Sequence, residues 1–114
     1  MPKTNFAAKS LPFELEQLLK QLGRNIRIAR LRRNLRIEDL AERVGVSRYV
    51  ISHLEKGKPT VAIVSYFGAL WAMGLIGDLQ HVGDPDRDEE GLALENARAP
   101  KTAAKRKKVL DNDF

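Results

Sequence analysis

Apolar residues recur at helical spacing along most of the chain, and no stretch shows the alternation that is typical of a β-strand. The first helical pattern begins after Pro12, which suits a first helical turn, and ends near Asn34. Its apolar stripe consists of Leu15, Leu18, Leu19, Leu22, Ile26 and Ala29. Because Gly23 interrupts this stripe, the pattern predicts either one helix or two.

Two shorter helical patterns follow, separated by a turn that contains one glycine. The first covers residues 37–44 and is followed by Gly45, which suits the left-handed conformation at a helix end. Ser47 is a favourable N-cap for the second, which Gly57 and Pro59 bring to an end. The apolar positions are Leu40, Ala41 and Val44 in the first helix and Val50, Ile51 and Leu54 in the second.

The segment from Thr60 to Gly77 contains no charged residue. Thr60 is the expected N-cap of a helix here, and the segment is too short to span a membrane, which takes about 20 apolar residues. A helix that is apolar on most faces is expected to be buried, with one face inward and another against a second copy of the chain. The candidates for this dimer interface are Phe67, Leu70, Trp71 and Leu75. The same four residues suit an internal core equally well.

Composition limits the chemistry that the chain can support. It has 114 residues, 43% of them hydrophobic, no cysteine, and two histidines, His53 and His81. This excludes disulfides, zinc ribbons, thiol chemistry and a histidine-rich metal site, so we expect neither a metal nor a cofactor. The chain also lacks a glycine-rich phosphate loop after a strand and a nucleophile with a free histidine partner. We therefore expect no enzymatic activity.

The net charge of +5 is distributed unevenly along the chain. Residues 14–83 carry 11 basic and 7 acidic side chains, residues 84–99 carry 2 and 6, and residues 100–114 carry 5 and 2. A basic domain indicates a polyanionic partner, most often nucleic acid, although a charge of this size also serves solubility alone. Pro100 ends the acidic stretch, and the Lys/Arg-rich tail behind it suits a mobile arm that contacts DNA.

The most informative stretch runs from Ile37 to Glu55, where the two short helices meet. Their turn is too short for antiparallel packing, so the helices must cross at a steep angle. Such a crossing needs a small residue on the first helix, which is Ala41, and a glycine in the turn, which is Gly45. These features define a helix-turn-helix motif, and the DNA major groove admits a helix of this diameter.

Residues 22–75 resemble the Cro/CI-type helix-turn-helix regulators, also called the XRE family. The matching residues are Leu40-Ala41, Val44-Gly45-Val46-Ser47, Ile51-Ser52, Leu54-Glu55-Lys56-Gly57 and Pro59. The resemblance implies an all-α chain with a compact five-helix, lambda-repressor-like domain, an extra C-terminal helix and a basic tail. It also implies that Arg30 in the first helix pairs with Glu55 at the end of the third.

The same resemblance implies which residues contact DNA. The base-contacting positions are Arg48, Tyr49, Ser52 and His53. A bidentate contact from Arg48 to guanine O6 and N7 would contribute about 1–3 kcal/mol of discrimination. The expected phosphate contacts are Arg36, Arg43, Ser47, Lys56 and Lys58. Simple solvation of these side chains is the alternative.

One departure from the family pattern lies at the start of the motif. Where the family commonly has Ser or Thr followed by Gln, this chain has Arg36 and Ile37. The family's Gln reaches a phosphate and braces the recognition helix, and an isoleucine can do neither. Either Arg36 replaces the phosphate contact, or DNA binding is weakened and protein binding gains importance.

The chain beyond the motif is similar to small HipB-like antitoxins. The resemblance rests on 59–75, Gly77-Asp78-Leu79, the acidic segment 84–94 and the basic tail. It implies a repressor of its own operon that binds a palindromic operator as a homodimer and also binds a HipA-like serine/threonine kinase toxin. The alternatives are a protein-interaction antitoxin with weak DNA binding and a stand-alone phage-type repressor.

The sequence therefore predicts four parts. These are an N-terminal arm (1–11), a helix-turn-helix DNA-binding domain (12–83), an acidic C-terminal helix (84–99) and a flexible basic tail (100–114). No long apolar run follows the first residues, so we expect no signal peptide and a cytoplasmic protein.

Overall fold

The computed structural model describes residues 11–98, and within this range it contains helices and turns but no strand. The α-helices are α1 (Phe13–Arg32), α2 (Ile37–Val44), α3 (Arg48–Glu55), α4 (Ile63–Ala72) and α5 (Glu89–Arg98). Short 3₁₀ turns lie at Gly77–His81 and Pro85–Arg87. The predicted all-α class with a helix-turn-helix is confirmed. Of the five α-helices within residues 11–98, the last, α5, lies in the segment where the sequence predicts an acidic helix.

The chain divides into two compact units, one up to Gly77 and one from Asp78 onward. The first unit contains α1 to α4, and the second contains α5. Both the basic tail and all of the N-terminal arm except Leu11 lie outside the described residues. No helix within 11–98 is long and apolar enough to cross a membrane.

Helix α1 is one continuous helix, which settles the alternative left open at Gly23. This glycine is buried where α1 meets the C-terminal end of α3. A Cβ atom at this position would lie 2.5 Å from the carbonyl oxygen of Leu54 and 2.7 Å from that of Glu55. Gly23 is therefore required for the close approach of the two backbones and does not interrupt the helix.

The turn between α2 and α3 forms as predicted. Gly45 has a φ of +84°, and its N–H and that of Val46 both donate to the carbonyl of Ala41, at 2.8 and 3.0 Å. The hydroxyl of Ser47 accepts a hydrogen bond from the N–H of Val50 at 3.3 Å, which caps α3. These local bonds fix the direction in which α3 leaves the turn.

The core of the first unit lies between all four of its helices. Its largest fully buried side chains are Ile26 of α1, Leu40 of α2, and Ile51 and Leu54 of α3. Helix α4 closes the core with Tyr66, Ala69 and Leu70, and Met73, its C-cap residue, is buried beside them. The burial of one face of α3 in this core leaves its other face at the surface.

The prediction that Thr60 caps α4 is wrong. The helix begins at Ile63, and its N-cap residue is Ala62, whose side chain has no oxygen to offer. The hydroxyl of Tyr66 donates to the carbonyl oxygen of Lys58 at 2.8 Å, and the N–H of Val61 donates to the same carbonyl at 3.4 Å. These bonds hold the chain in a turn through Thr60, so the helix starts later.

Helix α5 of the second unit is capped by an acidic residue. The Oδ1 atom of Asp88 accepts a hydrogen bond from the N–H of Gly91 at 2.9 Å. Asp84 caps the preceding 3₁₀ turn in the same way, through the N–H of Asp86. Because Glu89 and Glu90 also lie in the first turn, negative charge is concentrated at the positive end of the helix dipole.

Candidate nucleic-acid interface

One face of α3 is free of the core, and we call its residues Arg48, Tyr49, Ser52 and His53 the α3 outer face. These positions are spaced by one and four residues, so they share a side of the helix. Arg48 and Tyr49 are the most exposed of them, with 64% of the Arg48 side chain and 68% of Tyr49 accessible. Ser52 and His53 are half-buried. The structure thus brings together all four residues that were predicted to contact bases.

Arg48 lies close to two other side chains in the described part of the chain. Its Nη1 atom lies 3.7 Å from Oε2 of Glu38, at the start of α2. Its Cζ atom lies 5.8 Å from the centre of the Tyr49 ring, a distance at which a guanidinium and an aromatic face attract each other. Both contacts act on an exposed side chain at the first position of α3.

The predicted phosphate contacts lie around this face in different settings. Arg43, Lys56 and Lys58 are exposed, as a backbone contact requires. Ser47 is exposed too, and its hydroxyl caps α3. A contact between Ser47 and a phosphate would add to this capping role.

Arg36 occupies the N-cap position of α2. Its backbone N–H donates to Oδ2 of Asp39 at 2.8 Å, and its guanidinium contacts the same carboxylate at 3.1 and 3.3 Å. These bonds hold the pKa of Asp39 below its usual value and raise the pKa of Arg36. Arg36 and Asp39 therefore stabilise the start of α2 where the family has Ser or Thr.

Arg30 and Glu55 form a buried bidentate pair that links α1 to the end of α3. Nε of Arg30 donates to Oε2 of Glu55 at 2.6 Å, and Nη2 donates to Oε1 at 3.0 Å. A third bond runs from Nη1 to the carbonyl oxygen of Leu35 at 2.9 Å. The hydrogen bonds to Glu55 raise the pKa of Arg30. Because the pair is bidentate and buried, it holds the end of α3 against α1 in one geometry.

The four candidate dimer residues are placed differently in the structure. Leu70 is buried in the core and Phe67 is half-buried, whereas Trp71 is 66% and Leu75 is 41% exposed. Other exposed apolar residues were not predicted from the sequence, and they include Ile28, Leu31, Ile63 and Val64. Ile28 and Leu31 lie three residues apart and off the main stripe of α1, a spacing that was visible in the sequence.

Two charged residues with structural contacts were also missed. Glu38 contacts Arg48, and Arg33 donates to the carbonyl oxygens of Ala29 and Met73 at 2.9 and 3.2 Å. The contacts to Glu38 and Met73 join different helices and leave no periodic signal in the sequence.

The crossing of α2 and α3, the capped turn and the exposed outer face together define a helix-turn-helix domain. Residues 21–70 match the family model described as a helix-turn-helix domain, which supports a DNA-binding regulator. This match does not distinguish the Cro/CI-type or HipB-like groups from other helix-turn-helix proteins. No curated protein and no solved structure matches the chain.

Proposed function

We propose that the protein is a sequence-specific transcriptional repressor that inserts α3 into the DNA major groove. The observation that carries this proposal is the α3 outer face, where an exposed arginine, an exposed tyrosine, a serine and a histidine lie together at the motif's second helix. Arginine reads guanine through two parallel hydrogen bonds, and the other side chains are suited to bases or phosphates. Around them, Arg43, Lys56 and Lys58 supply positive charge for the DNA backbone.

The proposal includes a homodimer on a palindromic operator. Two recognition helices reach successive major grooves when they lie about 34 Å apart, so half-sites are expected one helical turn apart. Exposed Trp71 and Leu75 support a contact between two copies. Leu70 would support this surface from inside the core, and Phe67 would contribute its accessible part.

Replacing Arg48 with alanine tests the assignment of the base-reading residue. We expect Arg48→Ala to lose about 1–3 kcal/mol of discrimination at one base pair in each half-site, because the bidentate contact to guanine is removed. The measurement is the dissociation constant for a duplex selected from random sequences by the wild-type protein, compared with single-base variants of it.

Lys58→Ala is the matched control, since it removes the same charge from a proposed phosphate contact. It should weaken selected and scrambled duplexes alike and reduce the slope of log affinity against log salt by about 0.9. Unchanged base preference in Arg48→Ala would contradict the assignment.

A second candidate function is that of an antitoxin that binds a HipA-like serine/threonine kinase. The observation in its favour is exposed apolar surface on both units, with Ile63, Val64 and Trp71 on α4 and Leu92 and Leu94 on α5. Single exposed apolar residues are ordinary on a protein surface, and several on one helix favour a protein partner.

The two functions are compatible in one protein and can be separated by experiment. If binding to a kinase is a main function, a kinase encoded in the neighbouring reading frame should co-purify with the Arg48→Ala variant as it does with the wild type. The absence of a kinase in the neighbouring frame would favour a stand-alone, phage-type repressor.

A further inference from the structure

Glu38 is an acidic residue next to the α3 outer face. It is the second residue of α2, and its carboxylate lies 3.7 Å from the guanidinium of Arg48, the first residue of α3. Its side chain is 55% exposed, so no packing requirement places a carboxylate here. Glu38 lies in the first turn of α2, where the dipole of that helix favours a carboxylate. Every DNA phosphate repels this carboxylate, however, so its position beside Arg48 has a cost for DNA binding that the helix dipole alone does not explain.

Arg48 itself occupies an unfavourable electrostatic position. The N-terminus of a helix carries a partial positive charge, and a cation in the first turn is repelled by it. The first turn of α3 contains no acidic residue of its own to compensate. Glu38 supplies the missing negative charge from the neighbouring helix. Together with the Tyr49 ring, it restricts the directions in which Arg48 can point before DNA arrives.

The restricted orientation of Arg48 has different consequences on DNA that presents a guanine to this residue and on DNA that does not. A guanidinium has five N–H donors, and a guanine edge uses two of them, so Arg48 can read guanine and keep a contact with Glu38. On a sequence without that guanine, Arg48 loses the bidentate base contact, and a phosphate becomes its strongest partner on the DNA. In this account, a guanidinium that turns toward the sugar–phosphate backbone moves away from Glu38, whose carboxylate then faces the DNA without its partner.

We propose that Glu38 is a specificity-determining residue, because it directs Arg48 toward base edges and away from the sugar–phosphate backbone. The proposal rests on the DNA-binding function proposed above. In this account Glu38 reduces affinity for all DNA and reduces it most for sequences that lack the correct base. Its role is to position Arg48, and no contact between Glu38 and a base is required.

The test compares the full-length wild type with Glu38→Gln, which keeps the shape of the side chain and removes its charge. The dissociation constants are measured by fluorescence anisotropy for the duplex selected by the wild type and for a scrambled duplex of equal composition. We expect the ratio of the dissociation constant for the scrambled duplex to that for the selected duplex to fall about two- to fivefold. This is the range that an exposed ion pair can supply. Most of the change should come from tighter binding of the scrambled duplex.

Glu42→Gln is the matched control. Glu42 lies one helical turn further along α2, is exposed, and forms no ion pair within residues 11–98. Its replacement changes the net charge by the same amount, so it should strengthen binding to both duplexes equally and leave their ratio unchanged. A second control introduces Glu38→Gln into Arg48→Ala, where the ratio should no longer respond.

Two results would overturn the proposal while the DNA-binding function stands. One is a ratio in Glu38→Gln equal to that of the wild type. The other is a fall in the ratio that also occurs in Glu42→Gln or in the Arg48→Ala background, which would make charge alone the cause. If the wild type itself binds selected and scrambled duplexes equally, the proposed sequence-specific function fails, and the role of Glu38 fails with it.

Discussion

Replacing Glu55 with alanine is expected to lower the free energy of unfolding by about 3–5 kcal/mol, because it leaves the buried guanidinium of Arg30 without its partner. The pair is bidentate, and the side chains of both residues are almost fully buried. Only the bond from Arg30 to the carbonyl of Leu35 would remain. Urea denaturation followed by circular dichroism measures the change.

Glu16→Ala is the matched control for this prediction. Glu16 also forms an ion pair, with Lys20 at 3.9 Å along α1, but both side chains are about half exposed. Its loss should change stability by no more than about 0.5 kcal/mol. If Glu55→Ala were no more destabilising than Glu16→Ala, the buried pair would not hold α3 in place.

The second large effect is expected from Gly23→Ala, which we expect to destabilise the protein by about 1–3 kcal/mol. The new methyl group would meet backbone atoms of Leu54, Glu55 and Gly57 at 2.5 to 2.8 Å. Backbone atoms cannot move aside as a flexible side chain does, so α1 and the end of α3 must separate. Thermal and urea denaturation would both record the loss.

Gly77→Ala provides the comparison for this substitution. A Cβ at Gly77 would have no neighbour within 4 Å, and its backbone does not adopt a positive φ. This variant should therefore remain within about 0.5 kcal/mol of the wild type. Equal stability of the two variants would show that the close contact of α1 with α3 is not required.

Features set by neighbouring residues were predictable from the sequence. The end of α2 and the start of α3 follow from Gly45 and Ser47, whose effects on the backbone are local. The α3 outer face follows from helical periodicity, because Ile51 and Leu54 mark the opposite side. A short helix with one clear apolar side leaves little freedom in this assignment.

Features set by distant contacts were not predictable. Gly23 has the same appearance in the sequence whether it ends a helix or permits a close approach, and its contact lies some thirty residues away at Leu54. The start of α4 depends on the bond between Tyr66 and Lys58. In α4 itself, apolar residues on every side give no periodic signal to separate buried Leu70 from exposed Trp71.

The candidate DNA-binding site also combines features that were predictable from the sequence with features that were not. That α3 would present Arg48 at its start was visible in the sequence, since Ser47 is an N-cap. The contact of Arg48 with Glu38 depends on how two helices cross, and exposed charges on α2 resemble those of any solvated helix. The N-cap role of Arg36 was hidden as well, because arginine is not a usual capping residue.

Protection of guanine N7 from methylation tests the central claim most directly, because N7 lies in the major groove. The account predicts that the wild-type protein protects guanines in both half-sites of its selected duplex. In Arg48→Ala, at concentrations that restore full occupancy, protection should disappear at one guanine in each half-site. Protection that is the same in both proteins, or that never occurs at guanine N7, would contradict the insertion of α3 into the major groove with Arg48 against a base.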